Sequence, residues 1–408
     1  MNRSTQLLIL RIFLAALAVF NLAKYTYSVY TNETDDNPMD FRVFWTATKV
    51  QAEGENYYDD THVKEMWRNV AVNENLTTST SPGFPNTGVT YPPWFPVIFK
   101  PFTLFNWGTA RYIIILLNII LLGFSLYLFK HTFNIISWLS IILVVFAFKG
   151  TSLALFTGNP LFISFFLVLV SLFLFSKNKK LLSGIFLGLA SFKISLVFPF
   201  VIFFLIRWEW KILFTSLAVL LIQAAIIMLP YQNPMLLVHG FFNNMAHLWE
   251  LGVANTIDFN TLNSTEFATI IGYFITSNKT ALALFNYGGL IITLILIGWL
   301  NYKHKLSNTL LLSLLCLAGL VFTHHFIYDG LILLFILPAL LELRLKQTKW
   351  IVGLNLPLLL PITGIAFKLP FNKFSELLLL HLPFTLMALL ITLFIFAVKN
   401  NRLKGGLN

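Results

Sequence analysis

Asp40 closely follows the first apolar stretch of the chain and stands among Phe41, Phe44 and Trp45. A carboxylate in such a place can take a proton from a hydroxyl as it attacks. The same residue type also caps a helix beginning at Phe41, or lies solvated like its neighbours Asp35 and Asp36. Lys193 stands in an apolar run with no acid near it in sequence. It needs a counter-charge, which a lipid phosphate would supply; snorkelling to a headgroup is the plainer alternative. His324 and His325, followed by Tyr328 and Asp329, open a further apolar run. Phosphate or sugar contact is one reading and an interfacial histidine another. A two-histidine metal site is the weakest, because adjacent histidines point to different faces of a helix. Tyr91-Pro92-Pro93-Trp94 is a rigid turn with aromatics suited to the headgroup level, where plain re-entry into the membrane competes with substrate contact. Asn159, after Gly158, opens a helix whose N-terminus favours anions, a weak signal alone.

The elements that must position these residues are membrane helices. Of 408 residues, 57% are hydrophobic and 11% charged, where soluble chains carry about 25% charge. The apolar runs recur at spanning length. The chain reads as an all-α polytopic membrane protein, a single integral-membrane domain over residues 1–408 with roughly eleven to thirteen hydrophobic segments. Its lone cysteine, Cys316, can build neither a disulfide framework nor a thiolate metal site. The net charge of +11 does not indicate a nucleic-acid partner, because the basic residues sit in short clusters between apolar runs, as in cytoplasmic loops. No phosphate-binding glycine loop, metal quartet or nucleophile elbow is present, and no soluble stretch is long enough for a nucleotide-binding domain.

Residues 7–29 read as a retained first helix with a cytoplasmic start. Most of the 17 acids fall in a large first extracytoplasmic loop over 30–95, where residues 43–52 and 61–72 read as short interfacial helices. Spanning helices are expected over 109–129, 134–149 and 160–176. The run 181–206 has basic clusters on both flanks, Lys177 to Lys180 and Arg207 to Lys211. If both are cytoplasmic, the run dips into the membrane and returns, since two halves of about 12 residues reach only ~18 Å each. The break is expected around Ser191-Phe192-Lys193. After a helix over 212–230 comes a second outer loop, 231–278, with an interfacial helix over 264–276. Helices over 280–300, 307–323, 330–343, 350–367 and 377–398 complete the chain, with a cytoplasmic C-terminus. No internal repeat is evident. Sequons at Asn32, Asn75, Asn263 and Asn278 fall on outer loops, and Asn2 matches on the inner side.

The order of these features resembles the GT-C class of integral-membrane glycosyltransferases. Within it, the chain is similar to the polyprenol-phosphate-mannose-dependent alpha-mannosyltransferases. The features are Asp40 early in the first outer loop, Gly54 to Tyr58, Tyr91-Pro92-Pro93 with Pro101, Gly158-Asn159, Leu187 to Lys193, and the His325/Tyr328 segment. The family more often has Gln where Asn159 stands and Pro where Ile194 stands. The resemblance implies a GT-C-like bundle and an enzyme of the cell membrane that moves a hexose, mannose-like, from a polyprenyl-phosphate sugar to a lipid- or glycan-linked acceptor on the extracytoplasmic face. Asp40 would be the base of an inverting displacement. Lys193, His324, His325 and Arg42 would lie near the donor phosphate, and Tyr91, Asn159 and Tyr328 would contact substrate. The leaving group is a phosphate, so the chemistry requires no metal or cofactor.

Two other readings compete. A transporter of lipids or lipid-linked sugars would also want buried cations and a re-entrant segment, but it has no need of the long acidic outer loop. A non-catalytic partner in an envelope complex would need no lipid pocket.

Overall fold

The computed structural model describes residues 3–31, 39–76, 89–133, 138–252, 267–275, 278–323, 327–342 and 380–405. Among them there is helix and no strand. The first helices are α1 (Arg3–Thr31), α2 (Met39–Ala52), α3 (Asp60–Asn73), α4 (Pro96–Phe99), α5 (Trp107–Phe133), α6 (Trp138–Ala147), α7 (Lys149–Phe156) and α8 (Leu161–Ser176). Then come α9 (Lys180–Ala190), α10 (Ile194–Ile206), α11 (Trp210–Met228), α12 (Met235–Gly252) and α13 (Phe267–Phe274). The last are α14 (Lys279–His304), α15 (Asn308–Phe322), α16 (Ile336–Glu342) and α17 (His381–Gly405), with 3-10 turns over Lys100–Leu104 and Ile327–Phe335. Among the described residues, Trp107–Phe133, Trp210–Met228, Thr280–His304 and His381–Val398 are each long and apolar enough to cross a membrane. They carry exposed Leu, Ile and Phe, such as Leu116, Leu221 and Ile292, as surfaces that meet lipid do. The chain is an all-α polytopic membrane protein.

The run 181–206 breaks where its sequence suggests. α9 ends at Ala190, α10 begins at Ile194, and Lys193 has φ −115 and ψ 75. Unwinding a helix amid apolar neighbours leaves backbone groups that water cannot reach. Here they find partners. The Gly188 carbonyl accepts from the Ser191 N–H and from Gln223 Nε2 at 3.0 Å, and the Ala190 carbonyl accepts from Ser164 Oγ at 3.1 Å. α9 lies tightly along α11. A Cβ at Gly184 would come within 2.6 Å of the Ile212 carbonyl, and one at Gly188 within 2.7 Å of that of Ser216. The contacts advance together along both helices, so α9 and α11 run parallel.

The two flanks of that run meet. Lys180 pairs with Glu209 at 2.8 Å. Arg207 donates to Asn301 Oδ1 at 3.2 Å and to the Leu306 carbonyl. Three basic loops therefore gather at one end of the bundle. The opposite end holds α2 and α3, whose connection is tied down by Tyr231, whose hydroxyl donates to the Glu55 carbonyl at 2.9 Å, and by Asn244, which donates to the Tyr58 carbonyl at 3.3 Å and to that of Val89 at 3.0 Å. Glu74 accepts from the first amides of α5, Trp107 at 2.9 Å and Gly108 at 3.3 Å. An acid there satisfies orphan donors and complements the helix dipole.

Several expectations change. The segment 134–149 is no single helix: α6 stops at Ala147, Phe148 is extended at ψ 115, and α7 resumes at Lys149. Asn21 of α1 takes up the freed carbonyl of Ala147 at 2.7 Å, so the capping group comes from a distant part of the chain. The stretch 231–252, read as loop, contains α12. The helix expected over 330–343 is 3-10 in its first part. The segment 350–367 and the sequons at Asn2, Asn32 and Asn263 lie outside the described residues.

Candidate active site

α2 begins beside the C-terminal end of α7. The backbone N–H groups of Asp40 and Phe41 both donate to the Thr157 carbonyl, at 2.9 and 3.2 Å. One acceptor thus serves two of the donors that a helix leaves open in its first turn. Asp40 therefore lies inside that turn and is not the residue preceding it. Phe44, one turn on, packs edge-on to the Tyr91 ring, centroids 4.4 Å apart, and stacks on Phe99 at 4.9 Å. Aromatic contacts of this kind contribute about 0.5–1.5 kcal/mol each beyond burial. They fix α2 against the turn that carries Tyr91. That turn is held in its own right, since the Tyr57 hydroxyl donates to the Pro93 carbonyl at 2.7 Å and the Tyr58 hydroxyl to that of Tyr91.

The Asp40 carboxylate is half-buried, and its Oδ2 accepts from Asn159 Nδ2 at 2.8 Å. Asn159 is itself buried and fully engaged. Its Oδ1 accepts from the Leu161 N–H at 2.9 Å, and its carbonyl accepts from Asn118 Nδ2 at 3.3 Å. Burial pushes the Asp40 carboxyl above the usual carboxylate range; Asn159 and the Lys193 charge pull it back, and the Asp329 charge pushes it up again. A carboxylate raised in this way holds a proton more firmly, and is a stronger base when ionised.

Lys193 sits in the break between α9 and α10, with its ammonium 3.0 Å from Asp329 Oδ1 and 3.0 Å from the Tyr91 hydroxyl. The Lys193 and Asp329 side chains are 5% and 4% exposed, so the pair is closed to bulk water. Its counter-charge is therefore a carboxylate from a distant part of the chain, not a lipid phosphate alone. Burial pushes the Tyr91 phenol up, so it keeps its proton and can both accept from Lys193 and donate elsewhere.

Asp40, Asn159, Tyr91 and Lys193 are thus brought into one cluster, with Asp329 as the member that residue types alone did not single out. The signal for it was present: a buried lysine needs an acid, and Asp329 follows Tyr328 in a segment already of interest. Asn159 is placed on the carboxylate itself. Arg42 is fully buried, two positions from Asp40 and so on the far side of α2, with its guanidinium 5.2 Å from the centre of the Trp67 ring in α3. His324 and His325 lie outside the described residues, and only the backbone of Tyr328 is described.

The family model described as Glycosyltransferase family 87 matches residues 90–327, from the Tyr91 turn to the start of the Asp329 segment. No curated protein and no solved structure matches the chain.

Proposed function

Since this chain belongs to glycosyltransferase family 87 and is a membrane glycosyltransferase, we propose that it moves a hexose, mannose-like, from a polyprenyl-phosphate sugar to a lipid- or glycan-linked acceptor by inverting displacement. The observation that carries this reading is the placing of Asp40. It is a half-buried carboxylate oriented by Asn159 and lies within the field of the buried Lys193–Asp329 pair.

In the proposed step, Asp40 takes the proton of an acceptor hydroxyl as its oxygen attacks the anomeric carbon. The bond from that carbon to the phosphate oxygen breaks on the opposite face. Its electron pair leaves with the polyprenyl phosphate. Lys193 offsets the charge that develops there, and the Tyr91 hydroxyl donates to it. The His324/His325 segment is a further candidate for the phosphate and Tyr328 for the sugar, whereas Arg42, buried against Trp67 on the far side of α2, is not. The donor is a lipid and the cluster sits at the end of the bundle away from the basic loops. We therefore place the reaction on the extracytoplasmic face, with the C-terminus cytoplasmic.

The test is transfer of labelled sugar from a polyprenyl-phosphate hexose by the purified protein. Asp40→Asn, with folding checked by gel filtration and thermal melting, is expected to lose transfer about 10²–10⁴-fold. Full transfer by the folded variant would remove Asp40 from the role. Substrate movement across vesicles that survives the substitution, without any transfer, would favour a transporter.

A further inference from the structure

We propose that Asp329 is a positioning residue whose carboxylate tempers Lys193, so that the ammonium holds a lipid phosphate without trapping it and without stripping Asp40 of its basicity. The inference rests on the glycosyl-transfer reading above.

The ion pair is 3.0 Å long and both members are shielded from water. An ammonium in such a place, left to itself, would attract anions strongly, because little solvent screens it. The reaction makes this a particular difficulty. The donor is a phosphodiester with one negative charge, whereas the departing polyprenyl phosphate is a monoester that ionises further, with a second pKa of about 6. A lone buried cation would therefore hold the product more tightly than the donor. A carboxylate fixed beside that cation makes the Lys193–Asp329 pair neutral before the donor arrives. Each further negative charge then meets repulsion as well as attraction, and the product feels more of the repulsion than the donor does.

The same pair faces the base. The groups bearing on the Asp40 carboxyl are Asn159, Thr157, Lys193 and Asp329, of which Lys193 and Asp329 are charged, and Tyr91 lies in the same field. Lys193 favours the ionised form of Asp40 and Asp329 opposes it. A favoured carboxylate is a weaker base, so removing the Asp329 charge would leave Asp40 ionised to lower pH and less able to draw a proton from a hydroxyl. Tyr91 completes the arrangement by holding the ammonium from a second direction at 3.0 Å.

The experiment is steady-state transfer by Asp329→Asn, with polyprenyl phosphate as product inhibitor and with rates followed across pH. The expected result is a split. Inhibition tightens by about tenfold or more, donor KM falls, kcat falls, and the acid limb of the pH–rate profile moves to lower pH. Asp329→Glu, which keeps the charge, is expected to restore values near those of the wild type. A merely structural Asp329 would lower stability and activity with the inhibition constant and acid limb unmoved, and that result overturns the proposal. Should Asp329→Asn not fold, the wild-type protein decides. Polyprenyl phosphate is expected to bind no tighter than the polyprenyl-phosphate sugar, and a product at least tenfold tighter contradicts the proposal. If the wild-type protein transfers no sugar, the glycosyl-transfer reading fails first, and if Asp40→Asn keeps transfer, the base role of Asp40 fails; if that variant is inactive while Asp329→Asn shows no split, only the role of Asp329 fails.

Discussion

Asn159 donates from Nδ2 to Oδ2 of Asp40 over 2.8 Å, while its other amide atom, Oδ1, caps the first turn of α8 through the Leu161 N–H. One side chain thus fixes both the orientation of the carboxylate and the start of the helix behind it. Asn159→Ala would remove both. Loss of a cap of this kind costs about 1 kcal/mol, and loss of the donor leaves the Asp40 charge less supported. Transfer is expected to fall about tenfold or more, and the acid limb of the pH–rate profile is expected to move up. Asn159→Asp keeps an oxygen for the Leu161 amide but sets a second acid against Asp40. It should restore part of the melting temperature and none of the activity.

The pH dependence of the wild type follows from the raised Asp40. The base works ionised, and burial holds its pKa above the ordinary value near 3.9. Activity should therefore be low in acid and rise with pH through that raised pKa, giving an acid limb above the usual carboxylate range. The check is kcat/KM against pH, with the melting temperature followed in parallel so that acid unfolding is not mistaken for titration. An acid limb at the ordinary carboxylate value would show that Asp40 is solvated in the working enzyme.

How much of this was legible in the sequence depends on whether the deciding partner is local. The break at Ser191-Phe192-Lys193 could be read because basic clusters on both sides of a single apolar run leave few options for a chain in a membrane. The helices α2 and α3 were legible for a similar reason, since turn residues such as Gly54 and Asp59 mark their ends. The need of Lys193 for an acid was legible, and Asp329 stood in a segment already of interest, but the pairing of the two was not, because nothing in the apolar run around Lys193 says which distant acid will meet it. The interruption at Phe148 was hidden too, for its cap is the Asn21 amide of another helix. Arg42 stands two residues after Asp40 along the chain, yet a helix carries a residue two positions on to the opposite face. There Trp67 is the neighbour.

The seam between α9 and α11 should tolerate nothing larger than glycine at position 188. The nearest backbone atom to a Cβ there is the Ser216 carbonyl at 2.7 Å, with the Val219 side chain equally close. Gly188→Val would push the helices apart, and overpacking of this kind costs about 1–3 kcal/mol. The same glycine offers its carbonyl to Gln223 next to the break, so the shift would also carry Lys193 away from Tyr91. A lower melting temperature together with a loss of transfer is expected. Gly123→Val, at a glycine with open space around it, serves as the control and should change little.

The meeting of Lys180 and Glu209 at 2.8 Å makes a claim about topology. α9 with 11 residues and α10 with 13 are about 17 and 20 Å long, and each alone is short of the ~30 Å hydrocarbon core. The chain must therefore leave one surface at Lys180 and come back to it at Arg207. With the buried Cys316 replaced by Ala, single cysteines at Lys180 and Glu209 should react with a membrane-impermeant maleimide from the same side of sealed vesicles. A cysteine at exposed Glu55 should react from the other side. The double variant Lys180→Cys/Glu209→Cys should also form a disulfide under mild oxidation. Labelling of positions 180 and 209 from opposite sides would mean that the run 181–206 crosses the bilayer, which the 2.8 Å pair of Lys180 with Glu209 does not allow.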